Sequence, residues 1–209
     1  MQKDTSRDDW QSLERVFRTF PSTLIQRRVW RKQSASVYES LLNHGHHGLP
    51  ALIPGLVHAR LATALLVAGY RSKSQLASRS FLCLGCHAGL EVRILRDFGA
   101  GRAEGIEIRD AVVQEGIYHQ LVQADEIHIG DFWHILSMDA VTIWNEIVVL
   151  APEALSLGKL WDTVWAHLSP LGHLIVVAQD ADLLDVPSHI QHGEAMEGTM
   201  QWYLASKGR

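Results

Sequence analysis

A chain of 209 residues, 47% hydrophobic and with a formal net charge of −4, reads as a globular protein able to bury one sizeable core. Two cysteines, Cys83 and Cys86, are too few for a disulfide framework, and the charged start MQKDTSRDDW lacks the apolar centre of a secretory signal, so a cytoplasmic protein is expected. The longest apolar stretch, 48–70, is broken by Pro50, Pro54, His58 and Arg60, so no membrane span is expected.

Charge divides the chain. Residues 1–80 hold 12 Lys and Arg against 5 Asp and Glu, whereas residues 81–209 hold 7 against 18. A basic N-terminal part should therefore sit on an acidic remainder, held partly by opposite charge and more weakly at high salt. Trp10, Leu13, Phe17 and Phe20 fall on one helical face that ends at Pro21. Ser22 or Thr23 can cap a second helix running through RRVWRK to about Leu42. Its run Arg27, Arg28, Arg31, Lys32 could grip the phosphates of a nucleic acid or form a solvated face, with Trp30 a lone aromatic between them. The histidines His44-Gly45-His46-His47 have no Asp, Glu or Cys near in sequence to complete a metal shell. They read as part of a hinge from His44 to Gly55, and no metal site is assigned. A third helix, Gly55–Gly69, places Val57, Leu61, Leu65 and Ala68 on one side.

The next stretch, Phe81 to Ile108, carries the most information. An apolar run from Phe81 to Leu84 meets the turn Gly85-Cys86-His87-Ala88-Gly89. A helical pattern follows, then a second apolar run that closes on Glu107. Strand, glycine turn, helix, strand and acid form half of a nucleotide-binding α/β unit. The glycines let backbone approach a ligand, the helix start offers unpaired N–H groups, and Glu107 can accept from both hydroxyls of a ribose. The glycine spacing does not meet the G-x-G-x-x-G of dinucleotide enzymes. The spacing Cys83-x-x-Cys86 invites a redox reading, but a strand cysteine followed by a turn cysteine does not suit one.

This G-x-x-x-G turn, with Leu84 before it and Glu107 18 residues after Gly89, resembles the first motif of class I S-adenosylmethionine-dependent methyltransferases. His87 stands where that family usually has a middle glycine. Later stations follow in the same order. Asp110 can cap a helix with Val113, Ile117 and Leu121 on one face, and Ala124–Ile129 reads as a third strand before Gly130-Asp131-Phe132. Glu146–Leu150 has the continuous apolar character of a buried parallel strand. A helix with Leu160, Trp161, Val164, Trp165 and Leu168 on one face then leads through His167-Leu168-Ser169-Pro170-Leu171-Gly172-His173. That segment resembles the family's turn before strand five, here Leu174–Ala178. Residues 181–209 should supply a last helix and a closing hairpin, with 200–206 as final strand.

The resemblance covers roughly residues 79–209. It implies an α/β fold with a doubly wound, mostly parallel sheet, preceded by an N-terminal helical extension or lid over residues 1–78. It implies S-adenosylmethionine as cofactor, bound by Gly85, Cys86, His87, Gly89, Glu107, Ile108, Asp131, Phe132 and Leu150. Glu107 would take the ribose, Asp131 the adenine amino group, Phe132 the ring, and His87 would lie beside the methionine portion. The family has no universal catalytic residue, because aligning a nucleophile with a sulfonium methyl is most of the work. None is assigned here; a histidine of the 44–47 cluster, His58 and Tyr38 are open as general bases. The segment Leu150-Ala151-Pro152-Glu153-Ala154-Leu155 lacks the motif of enzymes that methylate exocyclic base amines. With no insertion long enough for a recognition domain, the expected acceptor is a small molecule, or recognition comes from a partner protein or a second copy. Two alternatives stay open: a methyltransferase acting on RNA or another macromolecule through the basic helices, and a non-methylating, cofactor-binding member of the fold.

Overall fold

The computed structural model of the chain describes residues 18–46, 53–138, 142–150, 155–178, 183–195 and 200–208. The helix expected through Trp10, Leu13 and Phe17, His47, and the segment Ala151-Pro152-Glu153-Ala154 lie outside them.

Helix α1, Leu24–Asn43, begins where the sequence places a cap. The Thr23 side chain accepts from the Gln26 N–H, and the Gln26 side chain returns the bond to the Thr23 backbone, satisfying two otherwise orphaned donors. Helix α2, Pro54–Val67, starts with proline in its first turn, where a missing N–H costs nothing. Strand β1, Ser80–Leu84, then feeds α3, Leu90–Asp97; β2, Arg102–Glu107, feeds α4, Asp110–Tyr118; and β3, Ile127–Ile129, feeds α5, Phe132–Met138. Strand β4, Trp144–Leu150, is followed by β5, Leu155–Ser156, and α6, Leu157–Val164; then come β6, Leu168–Ala178, β7, Leu183–Leu184, β8, Gln191–Ala195, and β9, Met200–Ser206.

Seven strands form one sheet in the order β3-β2-β1-β4-β6-β9-β8. Pairings among the first five are parallel, while β9 runs antiparallel to both β6 and β8. A short parallel pair, β5 with β7, stands apart. The doubly wound, mostly parallel architecture is thus present, with the strand order reversing across β1 and β4. In open α/β sheets ligands bind outside the carboxyl ends of the strands at such a reversal.

Each face of the sheet has its own apolar layer. On one, α1 and α2 share a buried cluster with α3, α4 and β1. On the other, α5 and α6 cover Leu82, Leu84, Ile147, Val149, Leu174 and Val176. What joins α1 and α2 to the rest is aromatic packing. Phe20 stacks on Phe98 with ring centroids 5.7 Å apart, and Trp30 and His58 meet Phe98 edge-on. The Trp30 indole donates to Asp97, 2.6 Å. Arg27, Arg28, Arg31 and Lys32 are exposed, and none pairs with an acid among the described residues. Among the described residues the basic run of α1 therefore takes no part in docking, which falls to a buried cluster, and Trp30 belongs to the core rather than to a stacking surface.

Several elements differ from expectation, each for a local reason. Asp110 is the first residue of α4, not its cap; Arg109 holds the cap position without a side-chain bond, and Asp110 accepts from Gln114 one turn on. Ala124–Glu126 winds into a 3-10 turn, which shortens β3 to three residues. Strand β6 starts at Leu168, because Ser169–Gly172 forms an excursion between the pairs Trp144↔Leu168 and Glu146↔His173. Trp165 leaves the apolar face of α6 in a 3-10 turn and is partly exposed, covered by the Lys207 ammonium 5.2 Å from its ring. After β6 the described residues contain strands and no helix.

Candidate functional site

Nine residues expected at the cofactor site come together at the carboxyl edge of β1 to β4. Leu84 ends β1 opposite Val149, one residue before Leu150 at the end of β4. Glu107 ends β2 opposite Ile129, and its carbonyl accepts from Gly130, which brings Asp131 and Phe132 beside it.

The turn from Gly85 to Gly89 is built on left-handed backbone. Gly85 has φ +67°, His87 +53° and Gly89 +87°. Glycine adopts this region freely and other residues do so at a cost, so His87 occupies a position that favours glycine. A Cβ at Gly89 would overlap the Val122 and Ile127 side chains, whereas one at Gly85 would meet no atom within 4 Å. Open space thus lies directly over Gly85. Two further glycines seat the turn: a Cβ at Gly105 would overlap the Cys86 sulfur, and one at Gly116 would overlap the Ala88 carbonyl.

Glu107 is 2% exposed and fastens this turn to β2. Its Oε2 accepts from the His87 N–H at 2.8 Å, and its Oε1 accepts from the Arg109 N–H at 3.1 Å and Arg109 Nε at 2.8 Å. Burial alone pushes the carboxyl up, but the bonds from Arg109 and His87 overcome it and hold Glu107 below its ordinary value. It is therefore a carboxylate at neutral pH. A carboxylate has about four acceptor positions, and three are filled. Sequence reasoning missed Arg109, which neutralises this acid; its place two residues after a strand-end acid was the only available signal.

His87 is 7% exposed, and both ring nitrogens lack a partner among the described residues. Burial first, then the Arg109 charge, lower its pKa to about 4, against a smaller opposing effect of Glu107. The imidazole is neutral throughout the range from pH 5.5 to 8.

Asp131 turns one oxygen inward to accept from the Trp133 N–H at 3.0 Å, securing the start of α5. Ile108 is 65% exposed beside Glu107, and Phe132 packs on Trp133 with centroids 4.6 Å apart. These apolar groups flank an open edge. Cys83 and Cys86 are free, buried thiols that burial pushes well above the ordinary range, so neither is a ready nucleophile.

Two candidate bases on the N-terminal helices, His58 and His44, lie elsewhere. His58 is buried with Nε2 2.9 Å from the Phe20 carbonyl and its ring against Phe98, beyond the far end of α3, so it is spent in packing. His44 meets Glu115 of α4 at 3.1 Å, an acid that only the fold brings near it. Among the described residues no group of three His, Cys, Asp or Glu is placed to hold a metal ion. An open depression of about 440 Å³, lined by Arg93, Arg96, Ile117, Gln120, Val122 and Gln123, lies between α3 and α4 rather than at the carboxyl edge. Both arginines there already pair with acids, Asp97 and Glu126. No described helix is long and apolar enough to cross a membrane.

No protein-family model matches the chain, and no curated protein does. Solved structures do share its fold. An RNA methyltransferase from Salinibacter ruber in complex with S-adenosyl-L-homocysteine superposes with TM-score 0.51 at 16% identity, over 76% of this chain and 94% of that one. A chain of the fibrillarin/Nop5p complex gives 0.52 at 14% identity, over 74% and 83%. TrmN from Thermus thermophilus gives 0.53 at 13%, over 83% of this chain and 53% of its own. At these identities the likeness establishes the fold, which is that of the class I methyltransferases.

Proposed function

We propose that this chain is an S-adenosylmethionine-dependent methyltransferase whose cofactor lies across the carboxyl ends of β1 to β4. The observation that carries the reading is Glu107, a buried carboxylate at the end of β2 tied to a glycine turn whose first residue faces open space. When bound, S-adenosylmethionine supplies a sulfonium methyl group for in-line displacement by an acceptor. The protein's part is alignment and exclusion of water. The fourth acceptor position of Glu107 takes one ribose hydroxyl, and a swing of the partly exposed Arg109 side chain frees a second. Ile108 and Phe132 flank the adenine, the outer oxygen of Asp131 takes its amino group, and Leu150 floors the site at β4. Gly85, Cys86, His87 and Gly89 border the methionine portion.

The acceptor we favour is a small molecule, with residues 1–78 covering its side of a cofactor domain at 79–209. Supporting this, α2 reaches the carboxyl edge: Arg60 Nε lies 3.1 Å from Met200, at the end of β9 that pairs beside Ala178. An RNA acceptor is the second reading, favoured by the four exposed cations of α1 and by the RNA methyltransferase among the structural neighbours. Yet Gln26 and Trp30 fasten α1 to Asp97, the end of α3 away from the glycine turn. The test is transfer of a labelled methyl group from S-adenosylmethionine into a small-molecule extract and, separately, into total RNA. Label in the extract supports the first reading and label in RNA the second; label in neither, with no binding of S-adenosylhomocysteine, rejects the activity.

A further inference from the structure

Two charged groups near the glycine turn have no suitable partner of their own. Glu91, the second residue of α3, is 8% exposed, and its Oε2 has no hydrogen-bond partner among the described residues. Its own backbone N–H favours the charged form, but burial and the nearby Glu107 carboxylate oppose it more strongly, and the neighbouring Cys83 and Cys86 thiols stay protonated. Arg60 of α2 is half-buried, and its one described hydrogen bond goes to the Met200 thioether, a weak acceptor for a guanidinium. No acid lies within ion-pair distance of it among the described residues, although Arg60 and Glu91 are close enough to act on each other's charge. A buried acid and a half-buried base kept apart, each short of a counter-charge, are costly to retain without a ligand.

We propose that Glu91 and Arg60 form a receptor for a zwitterionic α-amino acid group, Glu91 taking the ammonium and Arg60 the carboxylate. The inference rests on the cofactor reading above in one respect only. The amino acid group is either the methionine end of the nucleoside cofactor or that of a separate acceptor, and both offer the same chemistry. Helix α3 adds its first N–H groups, which also favour the carboxylate end.

Proton linkage gives a readout that a merely structural role would not move. Burial raises the Glu91 pKa to about 7 in the free protein. An ammonium binds its charged form, so affinity should rise with pH, by up to about tenfold per unit below 7, and level off above it. The groups facing Glu91 are Arg60 from α2, Cys83 from β1, Cys86 from the turn and Glu107 from β2. The thiols are pushed well above their ordinary range, Glu107 is held below its own, and neighbouring His87 titrates near 4, so none changes charge near 7.

The experiment is calorimetric titration of wild type, Glu91→Gln and Arg60→Met with three probes: S-adenosylhomocysteine, 5′-methylthioadenosine, which lacks the amino acid group, and free methionine. The proposal expects wild type to prefer S-adenosylhomocysteine over methylthioadenosine by at least tenfold, with the pH rise described. Each variant should lose most of that preference while binding methylthioadenosine as before, which also shows that it folds. Methionine binding beside saturating methylthioadenosine, weakened in both variants, assigns the receptor to an acceptor instead. Equal wild-type affinity for the two nucleosides with no methionine binding overturns the receptor and leaves the cofactor reading standing. Methionine binding without any nucleoside binding keeps the receptor and removes the cofactor reading. A preference unchanged in both variants, a pH-independent wild type, or no binding of any probe overturns the proposal.

Discussion

Replacing Glu107 by Gln should cost stability and, on the function proposed above, cofactor affinity together, because the carboxylate that holds the turn is also the proposed ribose acceptor. The amide oxygen can keep the two Arg109 bonds, at 2.8 and 3.1 Å, which turns the amide nitrogen toward the His87 N–H, now 2.8 Å from Oε2. Two donors then face each other in a buried place. Losing one hydrogen bond to a charged group costs about 1.5–3 kcal/mol, or roughly 10- to 150-fold in the folding equilibrium. The Arg109 side chain is 43% exposed, so its ion pair adds little beyond this. The pH dependence has a definite sign. Glu107 is held below its ordinary value in the folded protein, so its contribution is present above the unfolded carboxyl pKa of about 4.3 and is lost as pH falls through the lowered value. Urea denaturation at pH 7 should therefore find the variant less stable, with the gap closing toward pH 3. Equal stability at pH 7, or a gap that does not change with pH, would refute the reasoning.

Three other outcomes follow from named contacts. Gly116→Ala should push α4 off the Ala88 carbonyl and cost about 1–3 kcal/mol by overpacking, measured as a lower denaturation midpoint; an unchanged midpoint contradicts the close approach. Trp30→Phe should keep the edge-on contact with Phe98 but remove the indole donor to Asp97, which is left with Arg93, costing about 1–2 kcal/mol, and the docking of α1 should prove insensitive to salt up to 1 M by amide exchange, unlike a charge-held arm. Tyr70→Phe should remove a hydroxyl that donates to the fully buried Glu146, leaving His173 at 3.0 Å as its remaining side-chain partner. Burial holds the Glu146 carboxyl above its ordinary value, so stability from this group is present at low pH and lost as pH rises through that value; the variant should steepen that loss in thermal melts between pH 4 and 8.

The parallel half of the sheet was legible because buried parallel strands are continuous apolar runs, as in Phe81–Leu84 and Glu146–Leu150, and because a glycine turn and an acid punctuate them. Helix α1 was legible from its cap, read as Ser22 or Thr23 and found at Thr23, whereas the return bond from Gln26 was not read. Contacts between distant segments were hidden. Nothing local says that Trp30 will meet Phe98, that His44 will meet Glu115, or that the basic run of α1 stays in solvent while its aromatic holds the helix down. The excursion at Ser169–Gly172 looked like a turn before a strand because proline and glycine interrupt the apolar pattern, yet pairing resumes on both sides of it. At the site, backbone glycines and the acid could be placed from spacing, whereas nothing in the sequence marks Glu91, and only its burial with an unpartnered oxygen singles it out.

The central claim is that a nucleoside cofactor lies over the carboxyl ends of β1 to β4. Backbone amide shifts on titration with S-adenosylhomocysteine test it most directly. The largest changes should fall at Gly85–Gly89, Glu107–Ile108, Gly130–Phe132 and Leu150. Saturating changes confined to the depression around Arg93, Arg96 and Gln120, or no changes at millimolar ligand, would contradict it.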